Sequence, residues 1–347
     1  MNLKKSLRIH AVTHSLFSSG TLNIATDQLG FIQADPIRSP ARAQDLILRH
    51  RVKGYRAGDL ERQYADLDIE EDYLYAYGFV HRNVWKHLHP RQTSRISSLE
   101  KKVLDAVHRE GEMHPAALET HFGLKRVINA WGGYSKATTR ALDHLHYRGL
   151  LRVARRENGI RVYELTTPLE PLPPADRLRK LILRIVSILT PVPMQTLHSN
   201  IARFRRLGNP RAAVRDLIHE GVLEYTTVDG ISYVWQPRNE IPGEVPGMVR
   251  FLAPFDPVVW DRRRFEHLWG WPYRFEAYTP PAKRIRGYYA MPMLWADNVI
   301  GWANAGVVDA QLNVDVGFVK RRPRDPEFSR ELDAEIGRLK NFLHILH

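Results

Sequence analysis

Residues 141–165, ALDHLHYRGLLRVARRENGIRVYEL, and residues 213–237, AVRDLIHEGVLEYTTVDGISYVWQP, carry one pattern twice. At an offset of 72, Ala141 aligns with Ala213, Leu145 with Leu217, Gly149 with Gly221 and Leu151 with Leu223. Each copy begins with apolar residues at helical spacing and stops at a glycine, which enters the left-handed C-cap conformation without a Cβ clash. A stretch rich in Val, Ile and Tyr follows, broken by Asn158-Gly159 in the first copy and Asp229-Gly230 in the second. Both dipeptides suit a two-residue hairpin turn, whose central residues need positive φ.

Upstream of each copy the order also repeats. Leu99–Glu110 sets Val103, Leu104 and Val107 at helical spacing, and Pro115–Phe122 gives a short second helix; Leu178–Leu189 and Pro193–Ile201 do the same before the second copy. Ser135 and Asn209 stand where the third helices should start, as N-caps. Three helices and a β-hairpin make a winged helix-turn-helix, so the fold class is mainly α with β wings (α+β). Beyond Met248 the chain turns aromatic and strand-rich, which predicts a β-barrel-like domain with a short helix over Asp261–Leu268. A terminal packing helix follows over Glu327–Leu346. The expected division is 1–95, an N-terminal winged-helix-like region; 96–168 and 176–237, two winged helices; and 245–347, the β-rich domain. The tryptophans of that last part are read as core in preference to a platform for bases.

With 51 Lys and Arg against 38 Asp and Glu, the 347-residue chain carries a formal charge of +13. There is no cysteine, which excludes disulfides, thiolate metal sites and a cysteine nucleophile. The charge is segregated: seven acids fall between Asp59 and Asp72, whereas nine bases and no acid fall between Arg177 and Arg215. A second basic group runs through Arg148, Arg152, Arg155, Arg156 and Arg161. Such segregation points to a basic face for a polyanion, of which nucleic acid is the commonest. No signal-like or membrane-length apolar run is present, so a cytoplasmic, nucleoid-associated location is expected and no membrane partner. No metal and no cofactor are expected: His87-x-His89 and His144-x-His146 lack zinc spacing, and there is no Gly-rich phosphate loop.

The informative N-terminal stretch is LGFIQADPIRSPARAQDLILRHRV, residues 29–52. Pro36 disfavours a helical Asp35, and an extended Gln33–Asp35 would project an amide and a carboxylate from one side. A carboxylate can take a proton from water that a neighbouring amide orients. Spacing alone favours a plain Asp-Pro turn over a catalytic pair.

The whole resembles the YcaQ/AlkZ-type winged-helix DNA glycosylases. Gln33-Ala34-Asp35 resembles that family's Gln-apolar-Asp motif, and residues 42–46 and 49–52 the segment after it. Residues 136–142 and 153–156 resemble the family's second winged helix. Residues 252–257, 260–262, 278–280, 283–284 and 287–289 resemble its β-domain. One departure stands out: a His-Glu pair is frequent in the family near residues 75–81, where this chain reads YAYGFVH with Tyr77 and Gly78. His81 is read as a surface histidine.

The resemblance implies a monofunctional glycosylase acting on alkylated purines in double-stranded DNA, with activity on interstrand crosslinks. It implies Gln33 and Asp35 as the catalytic pair. DNA-binding candidates are Arg38, Arg42, Lys136, Arg140, Arg155, Arg156, Arg161, Arg203, Arg205 and Arg206, the hairpin from Arg155 to Arg161 serving as a groove probe. No obligate protein partner is implied. Two other readings stand beside it: a non-catalytic winged-helix DNA-binding or regulatory protein, and a protein-interaction scaffold with an incidental basic surface.

Overall fold

The computed structural model describes residues 3–91, 95–122, 126–128, 134–237 and 245–344. It is a mixed α+β chain in which both repeated segments become a helix followed by a hairpin. The first is helix Ala137–Arg148 with strands Leu151–Glu157 and Ile160–Leu165; the second is helix Pro210–His219 with strands Glu224–Val228 and Ile231–Trp235. Asn158 and Gly159 (φ 50° and 83°) and Asp229 and Gly230 (φ 48° and 78°) make the turns as expected. Gly149 caps the first helix at φ 79° and Gly221 follows the second at φ 72°.

The preceding helices are Ser98–Glu110 and Pro115–Phe122 in the first copy, and Pro174–Leu189 and Met194–Ile201 in the second. Asn209 caps its helix by accepting from the backbone N–H groups of Arg211 and Ala212. The expectation for Ser135 fails: it belongs to the short strand Tyr134–Lys136, and Lys136 occupies the N-cap without a side-chain cap. Pairing with Arg126–Ile128 carries the extended backbone past Ser135 up to the helix.

Helix Pro174–Leu189 shows why the second copy folds. Leu181, Ile182, Ile185, Val186 and Leu189 fall on one face and are fully buried. Each contributes roughly 1.5–3 kcal/mol relative to exposure.

The C-terminal part is a four-stranded antiparallel meander, Val249–Phe251, Met291–Trp295, Asn298–Val308 and Gln311–Phe318. Its first and last strands do not pair, so the sheet is a curled half-barrel rather than a closed one. The short helix spans Arg262–Trp269 with Asp261 as its cap. The terminal helix is Pro326–Phe342, starting one residue earlier and ending sooner than expected; Leu346 lies outside the described residues.

The N-terminal region builds the sheet that matters most. Strand Phe31–Gln33 pairs with Tyr77–His81, which pairs with Ile69–Tyr73, giving the rung Gln33–Gly78–Asp72. The first strand sits between two cores. Ile32 joins the cluster shared with the first helical copy and the C-terminal sheet, whereas Phe31 joins the cluster of the second copy. Period-two alternation therefore pins this strand from both faces and turns Gln33 to the Phe31 side.

Candidate active site

Gln33 is the last residue of its strand, and the ladder continues through Ala34 N–H donating to the Tyr77 carbonyl at 3.1 Å. Close pairing here depends on Gly78. A Cβ at that position would lie 2.1 Å from the Ile32 carbonyl oxygen and 2.9 Å from the Gln33 Cα. The departure at Tyr77 and Gly78 is thus part of the site's framework, since only glycine lets the middle strand approach.

The amide of Gln33 has a fixed orientation. Trp260 Nε1–H donates to Gln33 Oε1 at 2.8 Å. An indole N–H can only donate, so the oxygen must face Trp260 and the amide's own NH2 faces elsewhere. Trp260 packs edge-on against Tyr75 with ring centroids 4.8 Å apart, and Tyr75 against Phe31 at 4.7 Å. Reading the tryptophans as core holds for Trp271 and for Trp260, which packs against the Phe31 and Tyr75 cluster and also donates its N–H to Gln33.

Trp260 is itself held from the N-terminal region. It ends helix Pro257–Trp260, which Asp256 caps by accepting from Val258 N–H. Asp256 also takes two hydrogen bonds from Arg51, at 2.8 and 3.1 Å, both side chains being fully buried. Arg51 in turn donates to the carbonyls of Ser15 and Ile47. The segment following the Gln-x-Asp motif thereby anchors the helix that orients its glutamine.

Asp35 is half-buried, its Oδ1 accepting from Ile37 N–H at 2.9 Å. Its own N–H donates to Gln44 Oε1 at 3.5 Å. Burial raises its pKa above the ordinary aspartate value, outweighing the stabilising Ile37 N–H. The buried Tyr289 phenol lies within the field of Asp35, and its hydroxyl has no hydrogen-bond partner among the described residues. A carboxylate made more basic can take a proton from water, and an amide whose oxygen is held presents N–H groups that can donate to one.

The basic candidates divide into groups. Arg42 pairs with Glu61, and burial together with the positive charges of Arg38 and Arg156 lowers its pKa. Arg156 and Arg161 both bond to Glu71, a buried carboxylate that also accepts from the Tyr77 hydroxyl. Desolvation would raise Glu71, but its two arginines and Tyr77 outweigh burial and hold it below the usual range. Arg161 further stacks on the Tyr77 ring at 4.7 Å. Arg155 pairs instead with Glu112 and Glu157, and Lys136 with Glu119. Arg140 lies on helix Ala137–Arg148.

Arg203, Arg205 and Arg206 line a half-open hollow of about 750 Å³ with Tyr73, Arg91 and Tyr147. Arg91 is anchored by Asp72 and stacks over Tyr147 at 4.4 Å. Strand Ile69–Tyr73 thus ties the first wing through Glu71 and this hollow through Asp72. The acids between Asp59 and Asp72 that looked like a separate block include these buried anchors. His81 is buried and caps helix Arg82–Leu88 from its Nδ1, so it is not a surface histidine. His89 bonds to Asp72 and His146 to the Glu71 carbonyl, which places both ligand-like pairs within this framework.

Among the described residues, no helix is long and apolar enough to cross a membrane. The profile of the family described as "DNA glycosylase AlkZ-like" matches residues 26–342, which takes in Gln33 and Asp35, both helical copies and the C-terminal sheet.

Proposed function

Because the chain belongs to the AlkZ-like DNA glycosylase family, we propose that it hydrolyses the N-glycosidic bond of N7-alkylated guanine in double-stranded DNA, with Asp35 and Gln33 as its catalytic residues. The observation that carries this reading is the motif's own setting: a half-buried Asp35 carboxylate of raised pKa, two residues along the chain from a Gln33 amide whose oxygen is held by Trp260.

N7-alkylation leaves the purine cationic. As the bond from C1′ to N9 breaks, its electron pair neutralises that charge, so the base leaves without a strong general acid. The sugar becomes oxocarbenium-like. Asp35 offsets this charge and accepts a proton from the attacking water, whose oxygen bonds to C1′. The Gln33 NH2 donates to that water and aims its lone pair at the carbon. General-base help of this kind contributes about 10²–10⁴-fold. No lysine amine enters, so the product is an abasic site in an uncut strand.

In this reading the two helical copies act as winged helices. Arg38, Arg42, Arg140 and Lys136 meet phosphates near the lesion, and Arg203, Arg205 and Arg206 meet them further along. The first wing, with Arg155 exposed and Arg156 and Arg161 docked on Glu71, probes the groove as a rigid unit. A base attacked where it lies, without entering a closed pocket, could remain linked to the opposite strand, which extends the proposal to unhooking interstrand crosslinks.

The test is excision from duplexes bearing N7-methylguanine or a nitrogen-mustard crosslink, read as alkali-labile abasic sites. Wild type should release the base while Asp35→Asn does not. Failure of the wild type across a lesion panel sinks the proposal; retained excision in Asp35→Asn sinks the mechanism.

A further inference from the structure

A second hollow, of about 870 Å³, lies between the Arg49–Arg56 segment, strand Val249–Phe251 and helix Pro326–Phe342, apart from the catalytic pair. Arg250 lines it and is nine-tenths buried. Among the described residues its guanidinium's only hydrogen bond runs to a thioether, Met248 Sδ at 3.5 Å, and Nη1 has no partner. Arg49, with its side chain 3% exposed, leaves a buried Nε unpartnered. Arg338 also faces the hollow, and Lys53 and Arg56 stand exposed at its mouth.

Among the described residues, the carboxylates nearby do not balance these charges. Glu335, fully buried, is already shared by Arg49, Arg338 and the Phe251 N–H. Glu331 lies 3.7 Å from Arg338. Among the described residues lining or bordering the hollow, five cations thus face two carboxylates. His50, beside them, is kept neutral by burial and by Arg49. A buried guanidinium is tolerated when an anion accepts from it; water accepts the hydrogen bond but leaves the charge uncompensated.

We propose that this hollow is a receptor for a phosphate-type oxyanion, gripped by Arg250, Arg49 and Arg338 and drawn in by Lys53 and Arg56. Guanidinium groups suit such an anion because their paired N–H donors match its oxygens. The space exceeds what phosphate alone fills, so the anion can carry an organic group or be part of a nucleic-acid backbone. This site is separate from the Gln33–Asp35 pair and stands or falls without the glycosylase reading.

The probe is inorganic phosphate, titrated into the full chain and compared with chloride at matched ionic strength. Phosphate is expected to raise the melting temperature by about 3 °C at saturating concentration. Arg250→Met, which removes the charge and keeps an unbranched apolar stem, should abolish that rise. The rim double substitution Lys53→Ala with Arg56→Ala should weaken phosphate affinity several-fold in calorimetry and does not touch the buried residues. A second arm repeats the titration with saturating undamaged duplex DNA. Displacement of phosphate identifies the natural occupant as a backbone phosphodiester, and undiminished binding identifies a free phosphate ester. No shift beyond that of chloride overturns the proposal, as does an equal shift in wild type and Arg250→Met, or unchanged affinity in the rim variant.

Discussion

Trp260→Phe isolates one hydrogen bond at the candidate site. The substitution keeps an aromatic ring against Tyr75 and removes the N–H that reaches Gln33 Oε1 at 2.8 Å. A neutral hydrogen bond of this kind contributes about 0.5–1.5 kcal/mol net. If it serves only to orient Gln33, its loss appears as disorder of the amide and leaves DNA affinity alone. Converted at 1.36 kcal/mol per decade, the upper end predicts a fall of about tenfold in the single-turnover excision rate. The dissociation constant for the lesion duplex should stay within about twofold. A double-mutant cycle supplies the decisive measurement: in a Gln33→Ala background, Trp260→Phe should cost almost nothing further. Additive losses in the cycle would refute the argument that Trp260 acts through Gln33, and so would a full rate in Trp260→Phe alone.

Four further outcomes follow from the same geometry. Asp35→Asn should lower the excision rate by about 10²–10⁴-fold. Because the folded pKa of Asp35 lies above its ordinary value of 3.8, its ionisation works against folding as pH rises through that window. The variant should therefore melt slightly higher at pH 7, by an amount reduced by the site's half exposure, and lose that advantage below about pH 3.8. Gly78→Ala should destabilise by about 1–3 kcal/mol in denaturant titration, and slow excision, because its Cβ would press on the Ile32 carbonyl. Glu71→Gln should cost about 3 kcal/mol, the low end for a broken buried pair, since Arg156 and Arg161 retain partial access to solvent. Glu71's pKa is depressed, so the stability it adds is present above the ordinary glutamate value of 4.5 and lost as pH falls through the folded value; acid melting should show this in wild type only. Joint replacement of Arg205 and Arg206 by Ser should reduce the slope of log affinity against log salt by about 2, with little change in base preference.

The repeated helices and hairpins were legible because their signals are local. Asn-Gly and Asp-Gly need only their own φ angles, and Asn209 caps the helix that starts beside it. Ser135 misled for the same reason: its propensity as a cap is real, but pairing between Arg126–Ile128 and Tyr134–Lys136 decides its conformation. The C-terminal strands were visible as strands, whereas the open edge of their sheet depends on pairing that no single strand encodes.

The site divides along the same line. Gln33 and Asp35 could be picked out by resemblance, since their spacing alone reads as an ordinary Asp-Pro turn, and the net charge of +13 pointed to a polyanion. The sequence by itself determined the residue types, the local elements and the kind of partner. Only the tertiary structure brought Trp260 to Gln33 across 227 positions of chain, set Gly78 against the strand that carries Gln33, and committed Arg156 and Arg161 to Glu71. These contacts depend on through-space distance and on desolvation, and neither scales with separation along the chain. A residue's chemistry is written where it stands in sequence; its orientation and its charge balance are set by whatever the fold places beside it.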